Sequence, residues 1–174
     1  KLKIREEELK DFRIVKKALD ARKKEDIVYV YTVDINTFQE KKLLVRGTLK
    51  NLTQAPEVIV KPVRKGSERL NERPVVIGTG PAGLFAGLML ARNGYRPILL
   101  ERGEDVDART AAVKRFWQEG RLNPESNVQF GEGGAGTFSD GKLTTLISDP
   151  WCEIVLKEFV AAGAPQEILY AGKP

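Results

Sequence analysis

The chain has 174 residues, of which 41% are hydrophobic and 30% charged, with a net charge of +5. These values exclude a disordered polyelectrolyte, and no apolar run approaches the ~20 residues of a membrane-spanning helix, so an ordinary soluble protein is expected. A single cysteine, Cys152, excludes an intrachain disulfide framework or a dithiol redox centre, and the lack of histidine excludes imidazole acid–base catalysis within this stretch.

The lone thiol fits a reducing compartment, and the charged opening from Lys1 to Asp11 does not read as a secretory signal. A cytoplasmic location follows as an expectation. The sequence names no set of metal ligands. It opens on Lys1 and stops at Pro174 with no closing element, which reads as the N-terminal part of a longer protein. Charge is uneven: residues 1–74 hold 19 Lys+Arg against 12 Asp+Glu, whereas residues 75–174 hold 10 against 12. The basic first part allows a polyanionic partner. Its cations are interleaved with acids, which favours a solvated face.

In chain order, Leu2 and Ile4 suggest a short strand. From Asp11 to Lys24, Phe12, Val15 and Leu19 recur at helical spacing beside Ala18, predicting an amphipathic helix. Ile27 to Ile35 alternates as a strand with strong β propensity, and Leu43–Leu49 and Val58–Val63 are two more strand candidates. The order β-α-β-β, an unassigned element and a last β predicts a small α+β domain over 1–70, of ferredoxin-like kind. Tyr29 and Tyr31 share a strand face and are spaced to stack bases, but no glycine–aromatic signature surrounds them, so packing is the preferred reading. The polar stretch from Lys65 to Pro74 is the predicted linker, and a second domain is expected over 71–174.

That second domain begins with Val75-Val76-Ile77, a β-branched triplet suited to a buried parallel strand. Gly78-Thr79-Gly80-Pro81-Ala82-Gly83 follows, then a helical stretch to Gly94, a second strand at Ile98 to Leu100, and the acid Glu101. Each part has a physical task at a dinucleotide site. Gly78 permits the tight turn, Gly80 lets a pyrophosphate approach the backbone, and Gly83 lets the helix pack close to the sheet. The helix N-terminus offers free N–H groups and a positive dipole end to phosphates. A carboxylate at the end of the second strand can accept hydrogen bonds from a ribose diol.

Next, Arg109 to Glu119 reads as a helix, preceded by Glu104, Asp105 and Asp107 and stopped by Gly120. Arg109 on its first turn is placed either to reach toward phosphates or to pair with Asp105 or Glu104. The segment from Asn127 to Thr145 carries five glycines between 131 and 141, too many for a core element. Such a loop suits backbone amides that curl around an anion or lie flat on a planar ring. The plain alternative is a flexible loop. Ser139, Asp140 and Lys142 add a hydroxyl, a carboxylate and a cation, and the spacing is not that of a nucleoside-triphosphate loop. Pro150 to Ala162 predicts a helix, and Ile168 to Tyr170 the start of a strand.

Taken together, Val75 to Glu101 with Arg102-Gly103 resembles the FAD-binding βαβ of glutathione-reductase-like, two-dinucleotide-fold flavoproteins. The segment Gly131 to Lys142 resembles a bacterial group of FAD-dependent dehydrogenases that carry a small α+β domain ahead of the flavin domain. The resemblance implies an incomplete Rossmann-like FAD-binding domain of an FAD-dependent oxidoreductase, with NAD(P)H as a candidate donor. Gly78, Gly80, Pro81, Ala82 and Gly83 would then line the pyrophosphate, Glu101 would bind the adenosine ribose, Arg102 would lie beside the adenine, and Arg109 near the phosphates. Gly133, Gly134, Ser139, Asp140 and Lys142 would lie near the pyrophosphate or flavin ring. The resemblance assigns no catalytic residue. Three alternatives stay open: an NAD-dependent dehydrogenase, an RNA-associated flavoprotein with a basic N-terminal domain, and a protein-docking module.

Overall fold

The computed structural model describes residues 4–46, 51–57, 59–60, 66–139, 147 and 149–171. It is mixed α/β, with two small sheets and, among the described residues, four α-helices. The chain divides into two compact units, one formed by Lys1–Pro62 with Thr145–Pro174, the other by Val63–Thr144.

In the first unit, β1 (Leu9–Asp20) and β2 (Val28–Thr37) form an antiparallel hairpin. The helix predicted over 11–24 is therefore strand as far as Asp20 and turn beyond it, and the register explains the misreading. Ile14 pairs with Val33 and Lys16 with Thr32, so Val15 is an extra residue, a bulge that resets the alternation. Phe12 (opposite Ile35) and Leu19 (opposite Tyr29) thereby share one face despite an odd spacing that would otherwise separate them. That spacing also falls on one face of a helix. Strong β propensity in Val28 to Ile35 then supplies the pairing partner that decides the outcome.

The strand expected at Leu43–Leu49 is corrected too. Glu40–Arg46 is helix α1, with Leu43 buried and Thr37 Oγ1 accepting from the Gln39 N–H. None of Glu40, Lys41, Lys42, Leu43 and Leu44 is β-branched, and all five favour helix. Of the Val58–Val63 candidate, residues 59 and 60 carry no strand and the rest lie outside the described residues, as do Leu2 and residues 47–49. Ile4 is not in a strand; the first element is a 3₁₀ turn at Glu6–Glu8. The predicted order β-α-β-β is thus replaced by a hairpin followed by a helix.

Helix α4 (Pro150–Ala161) forms as predicted, with the Asp149 carboxylate accepting from the Trp151 N–H. Gln166–Leu169, expected to begin a strand, is a 3₁₀ turn. The chain then meets the free edge of β1: the Lys17 N–H donates to the Tyr170 carbonyl at 2.7 Å, and Ala171 forms an isolated parallel bridge with Lys17. Arg13 joins Asp34 on β2 at 3.0 Å to Glu153 on α4 at 3.2 Å.

In the second unit, β3 (Val75–Ile77), α2 (Pro81–Arg92) and β4 (Ile98–Leu100) follow the predicted bounds closely, and β3 and β4 are parallel. One face of the pair, Val76 and Leu99, meets α2 at Gly83 and Gly87. A Cβ on Gly83 would collide with the Gly78 carbonyl oxygen, so only glycine permits this helix to start so close to the strand. The opposite face is apolar and open, with Ile77 86% exposed. Helix α3 (Val106–Glu119) is capped by the Asp105 carboxylate, which accepts from the Asp107 and Ala108 N–H groups, and it ends at Gly120 in the left-handed region.

The Gly83 contact is backbone against backbone and cannot be relieved by a rotamer. Replacing Gly83 with Ala is expected to cost about 1–3 kcal/mol of stability. A urea titration checks it, and an unmoved midpoint would mean that α2 is free to lift from β3.

Candidate functional site

The site is built where β3 and β4 end. The Gly78 N–H donates to the Leu100 carbonyl at 2.7 Å, which carries the parallel pairing one residue past β3. Gly78 then turns with φ +91°, and Gly80, in extended conformation, leads into α2 with Pro81 in its first turn. Ala82 and Gly83 complete that turn. No side chain caps the α2 N-terminus. Among the described residues, a Cβ on Gly80 would find only the Gly134 Cα within 4 Å, which leaves the position open.

Glu101 faces this turn. One carboxylate oxygen accepts from the Thr79 N–H at 2.7 Å and the Thr79 hydroxyl at 2.9 Å, and the other accepts from the Gly103 N–H at 3.0 Å. The Gly103 and Thr79 amides hold the carboxyl at about 2, against an ordinary value of 4.5, with burial opposing them. Glu101 is therefore a fixed anion. Thr79, the variable position between the first two glycines, is buried and was not singled out from the sequence.

The second glycine-rich stretch lies against the first. The Gly133 N–H donates to the Thr79 carbonyl at 2.9 Å. Gly134 sits so close to Gly80 and Pro81 that a Cβ on it would stand 3.1 Å from the Gly80 Cα and 3.0 Å from the Pro81 Cδ. Gly134–Phe138 forms a short 3₁₀ turn that ends at Ser139, whose N–H donates to the Gly136 carbonyl. Asp140 and Lys142 lie outside the described residues.

Two arginines take positions that the sequence left open. Arg102 is exposed, bonded to Glu125 at 3.0 Å, with its guanidinium 5.3 Å from the centre of the Phe130 ring. Arg109 is fully buried and pairs with neither Asp105 nor Glu104. Its Nε donates to the Asn127 carbonyl at 2.8 Å, Nη1 to the Glu132 carbonyl at 2.6 Å, and Nη2 to the Val128 carbonyl at 3.0 Å. Nη1 also reaches the Gly131 carbonyl at 3.3 Å and Thr137 Oγ1 at 3.2 Å. Burial holds the guanidinium below the usual arginine range, and the charge of Glu101 partly offsets this. It stays cationic at neutral pH.

Asn127 prepares this arrangement. Its Oδ1 accepts from the Gln129 N–H at 2.9 Å and the Phe130 N–H at 3.3 Å, and its Nδ2 donates to the Asn123 carbonyl at 2.9 Å. Glu132 ties the loop to α3, accepting from the Val106 N–H at 2.8 Å. Asn127 was legible as the polar opening of a glycine-rich segment, whereas the partners of Glu132 and Thr137 are set only by the fold.

A cavity of about 980 Å³ belongs to the first unit, between β1 and α4, with Phe12, Ile14, Cys152, Leu156 and Tyr170 in its lining. It contains none of the glycine-turn residues. At the turn, by contrast, the α2 start without a side-chain cap and the fixed Glu101 carboxylate meet. Among the described residues, no helix is long and apolar enough to cross a membrane.

Residues 1–36 match the family described as Domain of unknown function (DUF8436), a span that includes β1 and most of β2. An uncharacterized protein of Clostridium beijerinckii is 52% identical over 173 residues, covering 99% of this chain and 32% of that relative. The chain thus spans about a third of the relative's length.

Because the folded Glu101 carboxyl lies near 2 and the ordinary value is 4.5, its contribution to stability is complete above pH 4.5 and disappears as the pH falls through 2. Glu101→Gln is expected to lose about 1 kcal/mol at neutral pH, after allowance for solvent screening. The gap to wild type should close on acidification across that window. Denaturant titrations at stepped pH measure it, and a gap independent of pH would contradict the assignment.

Proposed function

We propose that the β3–α2–β4 unit is the dinucleotide-binding part of an FAD-dependent oxidoreductase, the chain forming its N-terminal portion. The observation that carries the reading is the meeting of two glycine-rich backbones at one helix N-terminus, with the Glu101 carboxylate turned toward the same place. The residues fit the group: Gly80 faces space that any side chain would fill, and the uncapped start of α2 offers amides to a diphosphate. Gly78, Gly80, Pro81, Ala82 and Gly83 would hold the pyrophosphate. Glu101 would accept from one ribose hydroxyl with the acceptor site that Thr79 and Gly103 leave free.

The flavin supplies hydride transfer, and the protein supplies position and electrostatics. The preference for FAD over NAD comes from the likeness of Gly78–Gly83 and Glu101–Gly103 to flavoprotein sequences, since the carboxylate suits either ribose. NAD(P)H is the proposed donor and the cytoplasm the proposed location. An RNA-binding role for the first unit is not the reading favoured here. Tyr29 and Tyr31 lie side by side with ring centres 6.5 Å apart, but residues 4–37 around them hold eight Lys+Arg and eight Asp+Glu, so the basic excess of the first part lies outside the hairpin that carries the rings.

The full-length gene product is expected to carry the visible absorbance of bound flavin or to acquire it when FAD is added. Gly80→Val should weaken FAD binding at least about tenfold, ~1.4 kcal/mol. Its cost in stability should stay near the ~1 kcal/mol of a poorer N-cap residue, too little to unfold the turn. A colourless protein that gains no flavin, or one that binds NAD tightly and takes up no FAD, overturns the proposal.

A further inference from the structure

We propose that Arg109 is a positioning residue of this site: its buried guanidinium clasps the loop 131–138 against the glycine turn 78–83, and so sets the cofactor-facing backbone without touching the cofactor. The inference rests on the dinucleotide reading above and adds to it a residue that acts through others.

Location alone, on the first turn of α3, suggests that Arg109 touches an anion. Its geometry assigns it elsewhere. None of its surface is exposed, and its three nitrogens are committed to the carbonyls of Asn127, Val128, Gly131 and Glu132 and to the Thr137 hydroxyl. A guanidinium has five N–H donors in a rigid plane, and four carbonyls drawn around it impose a tight curl on the backbone. The curl needs glycine at its centre. Gly131 has φ +117°, and a Cβ there would stand 2.7 Å from the Arg109 Cδ.

From the clasp, contacts run without a break to the turn. The residue after Glu132 is Gly133, whose N–H holds the Thr79 carbonyl, and Thr79 in turn holds Glu101. Releasing the guanidinium would free the loop from beneath and remove the support on Thr79. A lysine cannot replace it, because an ammonium lacks the planar fork that reaches carbonyls on three sides.

The test uses the full-length gene product as wild type, Arg109→Ala, Arg109→Lys and Thr137→Val. Amide hydrogen exchange is followed without cofactor, and FAD uptake is titrated in parallel. In Arg109→Ala, exchange at residues 131–138 and at Thr79 should rise at least about tenfold, while the α2 interior stays at the wild-type rate. FAD affinity should fall at least about tenfold. Guanidinium ion added at non-denaturing concentration should reverse both effects, and Arg109→Lys should resemble the alanine variant. Should Arg109→Ala fail to fold, Thr137→Val, which removes one exposed partner of the clasp, should give a smaller acceleration confined to the same amides.

Unchanged exchange in the loop overturns the proposal. So does acceleration spread evenly through α2, which would make Arg109 a general core residue, or a loosened loop with undiminished FAD binding. A wild-type protein that takes up no flavin removes the flavin reading, and the exchange measurement then decides the clasp by itself.

Discussion

A cation withdrawn from water and surrounded by backbone carbonyls is the constraint on which the second unit depends. Desolvating a charge is costly unless dipoles replace the lost hydration. Arg109 meets that need with peptide oxygens in place of a carboxylate. The carbonyls come from one short segment, so satisfying the charge and folding the loop are a single event. Among the described residues of this unit, Thr79, Ser126, Asn127 and Arg109 are buried and polar, and Val113 is the buried hydrophobic one. Its interior is therefore organised by directional bonds as much as by apolar packing, and directional bonds specify one loop shape where an oily core would tolerate several.

The sheet beside it has the opposite character. Parallel strands are normally covered on both faces. Here α2 covers one face, and Val75, Ile77 and Leu100 leave the other apolar and exposed. The Clostridium beijerinckii relative is about three times as long as the matched stretch, since that stretch covers 32% of it. A protein of that length has ample chain to form a second layer on such a face.

The parts of the structure legible in the sequence are those set by neighbours in the chain. β3, α2 and β4 were readable because turn glycines, β-branched triplets and a terminal acid act over a few residues. The close approach at Gly83 follows from the same spacing. The hairpin was misread for an equally local reason: a bulge at Val15 disguised a two-residue period as a helical one. Helix α1 was misread because a short apolar run such as Leu43-Leu44-Val45 does not by its periodicity separate strand from helix, whereas the turn at Thr37 and Gln39 starts a helix. The role of Arg109 was hidden for a different reason. Its partners lie some 18 to 28 residues away in sequence, and no propensity or spacing announces that a first-turn arginine will turn inward. Arg102, next to Glu101, turned outward to Glu125 with equally little warning.

The bridge between Lys17 and Ala171 has a consequence for how the chain is made. The first unit is discontinuous, with residues 63–144 inserted between its two pieces, whereas the second is continuous. On the ribosome the inserted unit has its entire sequence available while the edge of β1 still waits for the strand end that joins it. Closing a loop of that size is a late and entropically taxed step. The hairpin can form early, but its edge must stay unpaired throughout synthesis of the glycine-turn unit, and bulges like the one at Val15 twist a strand edge in a way that discourages pairing with stray chains.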